Sequence, residues 1–205
     1  MLAFLRFIAF AAVLSVGFSG FPGQVDAAKL VSVKVTDTAR IPAIRPDWPV
    51  PGEPNQLFYL QRSSNSNTVV YTALFDAAGY LAVGKPAQAY WRRYNTTGER
   101  KALKRIEQRF AYGLNIKRSD VAGEFIVALK PLPQMQMRLR QTAPGKAELL
   151  ATLDGKTVRA VYGFVTLDET GLIPKVTALT VHGIDPVTGR AISEKFSVSG
   201  GAITQ

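Results

Sequence analysis

The chain has 205 residues, a formal net charge of +10, one histidine and no cysteine. The missing thiols exclude disulfides, thiol catalysis, thiolate metal sites and a lipid anchor on cysteine together. With 47% apolar and 20% charged residues the composition is that of a folded chain, long enough for one domain whose core needs no covalent staple.

Residues 1–27 have the pattern of an export leader. Arg6 supplies the charge, Phe7 to Phe18 is a short apolar run, and Gly20, Pro22 and Gly23 break it. Val25-Asp26-Ala27 then offers small side chains to a peptidase. The apolar run falls short of the ~20 residues that cross a bilayer. The pattern predicts cleavage after Ala27 and release to the periplasm or the exterior of a bacterial cell, with no integral membrane span left; a retained N-terminal anchor is the alternative. Cleavage removes Arg6 and Asp26, so the net charge is unchanged.

Residues 28–55 divide into a strand at Lys29 to Thr36 and a connector at Ile41 to Asn55. The connector carries prolines 42, 46, 49, 51 and 54, each of which fixes φ and removes a donor. Trp48, in its middle, is expected to pin it to the domain surface. Residues 56–198 read as a single β-rich domain and 199–205 as a tail.

Leu57 to Arg62 and Thr68 to Phe75 predict a hairpin over the polar turn Ser63 to Asn67. Tyr80 to Val83 and Ala87 to Tyr94 are expected to be extended. A helix is predicted from Glu99 to Tyr112, capped by Thr97 or Gly98, with Leu103, Ile106 and Phe110 on one face. Beyond it lies a meander: Glu124 to Leu129, Met135 to Arg140, Lys146 to Leu153, Thr157 to Leu167, Lys175 to Ile184 and Arg190 to Val198. Asp154-Gly155 and Asp185 to Gly189 are hairpin turns. The expected fold is mainly β: an antiparallel meander forming a barrel or sandwich, with one amphipathic α-helix packed on it. Val69, Tyr71, Ala73 and Phe75, with Met135, Met137 and Leu139, are expected to point inward, into a filled core or a lined cavity.

Chemistry is sparse. His182 near Asp185 is the one candidate acid–base pair, and a strand places residues three apart on opposite faces unless it bends at Gly183. A rim histidine is the plainer reading. No nucleophile elbow, phosphate loop or dinucleotide fingerprint is present. The carboxylates fall mostly at turns, where they are solvated. No cofactor and no metal are predicted.

What does accumulate is positive charge and aromatic surface. From Arg92 to Arg118 nine basic residues stand against two acids, a net +7. Tyr90, Trp91, Arg92, Arg93 and Tyr94 precede the basic helix positions Lys101, Arg105 and Arg109. Guanidinium groups bind phosphate and carboxylate, and rings bind apolar or sugar faces. These residues are the ligand-binding candidates, although the same inventory also makes an ordinary half-buried strand.

Three strings carry a family likeness: NQLFYLQRSSNSNTVVY from Asn55 to Tyr71, YWRRY from Tyr90 to Tyr94, and EQRFAYG from Glu107 to Gly113. Their spacing resembles an uncharacterised exported bacterial protein family, domain of unknown function 4833. The resemblance implies export and one β-rich domain, and it supplies no catalytic residues.

The expected function is therefore an exported, non-enzymatic binding or envelope-associated protein. Its partner would be an anionic lipid or amphiphile, a glycan or a membrane surface; the compartment argues against nucleic acid. The alternatives are a small hydrolase-like envelope enzyme with its site at a barrel mouth, and a protein-interaction module that uses an exposed strand edge.

Overall fold

The computed structural model describes residue 43 and residues 45–170, 175–199 and 202–204. The expected leader and the strand expected at Lys29 to Thr36 lie outside the described residues. No described helix is long and apolar enough to cross a membrane.

The fold is mainly β, with twelve strands and one short helix among the described residues. The first hairpin joins β1 (Gln56–Arg62) to β2 (Asn65–Ala73), with Arg62 opposite Asn65. β3 (Ala87–Arg92) pairs with β2, and the three-residue β4 (Arg100–Ala102) pairs with β3. After the helix α1 (Arg105–Phe110) come β5 (Leu114–Arg118), β6 (Glu124–Leu129), β7 (Met137–Ala143) and β8 (Lys146–Leu153), each antiparallel to the next. β9 (Lys156–Asp168), β10 (Lys175–Ile184), β11 (Ala191–Ser199) and β12 (Ala202–Thr204) complete the sheet. β12 pairs with β11, so strand structure reaches into the expected tail.

The organising strand is β9, 13 residues long. Its first residues pair with β8 across a two-residue turn, where Asp154 (φ 48) and Gly155 (φ 68) both adopt the left-handed backbone that such a hairpin requires. Further along, Tyr162 to Val165 pair with Tyr59 to Arg62 of β1, and this pairing is parallel. β10 runs antiparallel along the other side of β9. The sheet is thus mixed rather than a pure antiparallel meander. Its main path, β4-β3-β2-β1-β9-β8-β7-β6-β5, does not close.

The inward alternation is as expected. Val69, Tyr71 and Ala73 meet Met137 and Leu139 in one apolar core, with Phe75 and Met135 partly buried at its margin. The space is filled: the gap lined by Phe58, Tyr71 and Met137 holds only about 10 Å³. Each fully buried large side chain of this kind contributes roughly 1.5–3 kcal/mol of transfer free energy. The Tyr71 hydroxyl donates to the Tyr112 carbonyl at 3.0 Å, which satisfies its buried polar end.

Two expected elements differ. Tyr80 to Val83 forms no strand and contributes only the bridge between Phe75 and Leu81. The helix covers six residues, not fourteen. Gly98 (φ 71) is a hairpin glycine rather than a helix cap, because it lets the turn after Arg93 close. The Arg93 amide then bonds the Glu99 carbonyl at 3.0 Å, and Arg100 to Ala102 are drawn into the sheet. Leu103 is buried, whereas Ile106 and Phe110 are 66% and 63% exposed. The apolar stripe is therefore split, and α1 buries none of its own residues.

Candidate functional site

Strand alternation divides the aromatic–arginine segment between two faces. Tyr90 and Arg92 lie on one side of β3 and Trp91 on the other. Both outward residues converge on Glu53 of the proline-rich connector: the Tyr90 hydroxyl donates to Oε2 at 3.1 Å, and Arg92 Nε stands 2.8 Å from Oε1. Burial and the neighbouring Glu53 carboxylate push the Tyr90 hydroxyl up to about 12. The connector lies against this face. Trp48 packs on Phe164 at 6.2 Å, and Gln61 donates to the Pro49 carbonyl at 3.2 Å.

Trp91 is buried in the core, edge-on to Tyr112 at 5.0 Å, and its indole N–H donates to Glu107 at 3.2 Å. The same carboxylate oxygen accepts from the Lys104 amide at 2.7 Å, which fixes the start of α1. Arg93 is half-buried beside its turn, and Tyr94 lies under the Arg92 guanidinium at 5.8 Å. Lys101, Arg105 and Arg109 are exposed. The expected ligand cluster is thus dispersed: part pairs with Glu53, part packs inward and part faces solvent.

His182 does not join Asp185. The imidazole stacks on Tyr162 with centroids 4.3 Å apart, and its Nε2 is buried without a hydrogen-bond partner. Burial lowers its pKa from the ordinary value of 6.5. The Asp185 carboxylate is turned into its own hairpin, where it accepts from the Val187 and Thr188 amides at 2.8 and 3.2 Å. Those bonds hold it below the usual carboxylate range. No group of three or more His, Asp or Glu side chains suited to a metal ion occurs among the described residues.

A groove lies where the strand path fails to close. Ala87 to Tyr90 of β3 and Arg100 and Ala102 of β4 form one wall; Leu114 and Ile116 of β5, with Gly113, form the other. These are the two ends of the path, and the groove between them measures about 540 Å³. Lys85, Arg100 and Lys130 bring three cations to it, Gln88 and Gln108 bring amides, and among the described residues no Asp or Glu lines it. The Arg100 guanidinium sits 3.7 Å above the Tyr90 ring centroid. Of the expected ligand residues only Tyr90 lines the groove. Arg100 belongs to the basic stretch read from the sequence, but its meeting with Lys130 and Lys85 depends on bringing β3, β4 and β5 together. The one available cue was the Asn95 to Gly98 turn, which marks Arg100 as a strand residue.

A second, smaller groove of about 230 Å³ lies beside the C-terminal end of α1. Its described lining side chains are apolar apart from Tyr112, and include Phe110, Leu132, Leu167, Val176 and Leu179.

The architecture defines a β protein whose sheet is left open at one cationic seam. The chain belongs to the family described as Domain of unknown function (DUF4833), whose model matches residues 58–195. No curated protein and no solved structure matches the chain.

Proposed function

We propose that this is an exported, non-enzymatic binding protein whose seam groove takes an anionic amphiphile. The supporting observation is the lining of the 540 Å³ groove, which among the described residues has three cations, two amides, several apolar side chains and no acid. Positive side chains in a partly sheltered groove attract an anionic head more strongly than the same charges in open water. Leu103, Leu114 and Ile116 offer apolar surface to the rest of the ligand. Export rests on the leader pattern of residues 1–27.

The enzymatic alternative has less support. His182 and Asp185 are engaged separately, and among the described residues the groove holds no carboxylate to act as acid or base. The glycan reading also has less support, because the rings expected to receive a sugar face are buried, paired or stacked under arginine.

Calorimetric titration with dodecyl phosphate and with neutral dodecyl maltoside, both below their micelle concentrations, tests the reading. Dodecyl phosphate is expected to bind and the maltoside to bind at least tenfold more weakly. The double change Arg100→Gln and Lys130→Gln is expected to remove most of that difference. Equal affinity for both amphiphiles, or no binding of either, overturns the reading.

A further inference from the structure

We propose that the corner formed by α1 is a docking surface for an anionic lipid bilayer. The proposal goes beyond amphiphile binding and uses different side chains. Neither Ile106 nor Phe110 lines the seam groove.

The helix displays the apolar residues that a globular protein would bury. Ile106 and Phe110 stand at i and i+4, on one face of the helix, and are 66% and 63% exposed. No residue of α1 is buried. Phe110 also forms part of the wall of the second groove, where Val176 is 45% exposed. A continuous apolar surface therefore runs from the helix to this groove.

Cations surround it. Lys101, Lys104, Arg105 and Arg109 are all exposed, and the Arg109 guanidinium lies 5.1 Å from the Phe110 ring centroid. The one acid of α1, Glu107, is engaged with the Trp91 indole and the Lys104 amide. The charged side chains that α1 leaves exposed, Arg105 and Arg109, are both positive. Exposed apolar side chains ringed by lysine and arginine match a bilayer surface, where anionic head groups lie directly above hydrocarbon. An acidic protein surface would answer the cations but would leave Ile106 and Phe110 facing polar groups.

The arrangement also assigns separate roles. The lysines and arginines draw the protein to the surface over about a Debye length, roughly 8 Å at physiological salt. Ile106 and Phe110 then enter the interface, and the groove beside Phe110 gives displaced acyl carbons an apolar lining.

Co-sedimentation of the exported protein, beginning at Ala28, with vesicles tests this. One set contains phosphatidylglycerol and phosphatidylcholine in equal amounts, the other phosphatidylcholine alone. Binding to the anionic vesicles is expected to exceed binding to the neutral ones by about tenfold or more, and to weaken as salt is raised. Both Ile106→Ser with Phe110→Ser and Arg105→Gln with Arg109→Gln are expected to reduce anionic binding about tenfold. These positions are exposed, so an unchanged thermal transition should certify the fold of each variant. Equal binding to both vesicle types, or anionic binding unaffected by either pair of changes, overturns the proposal. Salt-sensitive dimers without vesicles, lost in the Ile106 and Phe110 variant, would identify a second copy of the chain as the occupant and also overturn it. Dodecyl phosphate titration of the same variants separates the two proposals, because the seam groove should retain its affinity.

Discussion

Tyr59 and Tyr162 stack with ring centroids 5.2 Å apart and planes 11° from parallel, and they are direct partners across the parallel pairing of β1 with β9. The row continues in register on either side, through Val70 to Tyr90 and through His182 to Ser193. The sheet is thereby tied together across β3, β2, β1, β9 and β10 on the face covered by the connector. A single parallel contact between distant parts of the chain thus fixes where β3 and β4 end, and with them one wall of the seam groove.

That contact depends on Gly163. A Cβ at this position would lie 2.6 Å from Leu60 Cδ2, 3.1 Å from Leu179 Cδ1 and 3.2 Å from Phe58 Cζ. All three neighbours are buried and have little room to give. Gly163→Val should therefore cost about 1–3 kcal/mol through overpacking, with Gly163→Ala costing less. Urea denaturation measures both. A valine variant as stable as the wild type would mean that β1 and β9 approach less closely than this.

Glu107 is expected to act as the acceptor for a buried indole rather than as a free surface charge. Its Oε2 receives the Trp91 indole N–H and the Lys104 amide. Glu107→Ala leaves the indole N–H of a 3% exposed tryptophan without a partner, at a cost of about 1–3 kcal/mol. Glu107→Gln retains an acceptor oxygen and should lose clearly less. Equal losses in the two variants, followed by tryptophan fluorescence during unfolding, would show that the charge matters more than the acceptor.

The local parts of this fold were readable from residues close together in the chain. Asp154-Gly155 and Asp185 to Gly189 declare their hairpins because only certain residues adopt the required backbone, and Met137 and Leu139 alternate cleanly with Arg138 and Arg140. The parallel β1–β9 pairing was not readable, because its partners are about a hundred residues apart and share no turn. Helix propensity misled at residues 99–104: lysine, arginine and alanine favour a helix there, but pairing with β3 and the Gly98 turn won. Glu53 was lost among prolines, so its capture of Arg92 and Tyr90 was invisible. Of the seam groove, the positive charge was legible and the wall was not, since Arg100 meets Lys130 only after the sheet has formed.

Export makes a chemical prediction that does not depend on any ligand. Expressed with its own N-terminus in a Gram-negative host, the protein should fractionate with the periplasm or the medium. Its first residue by N-terminal sequencing should be Ala28, because Val25-Asp26-Ala27 presents small side chains at the cut. Intact Met1 on a protein retained with the cytosol would remove the leader reading and the envelope setting with it.

His182 should impose a pH dependence whose sign follows from its surroundings. Its ring is stacked on Tyr162, paired in register with Tyr162 of β9 and Ser193 of β11, and its Nε2 is buried without a partner. Burial penalises the imidazolium, so the folded-state pKa lies below the ordinary 6.5. The unfolded chain then binds the proton first as the pH falls. This contribution to stability is fully present above pH 6.5, falls away as the pH drops through the interval down to the folded-state pKa, and is constant below it. His182→Phe keeps a ring for the stack and removes the titration. Unfolding free energies of the two proteins between pH 8 and pH 4 should therefore diverge on the acid side, with the wild type losing more. Parallel profiles would show that His182 is solvated in the folded protein and that the stack does not exclude its charge.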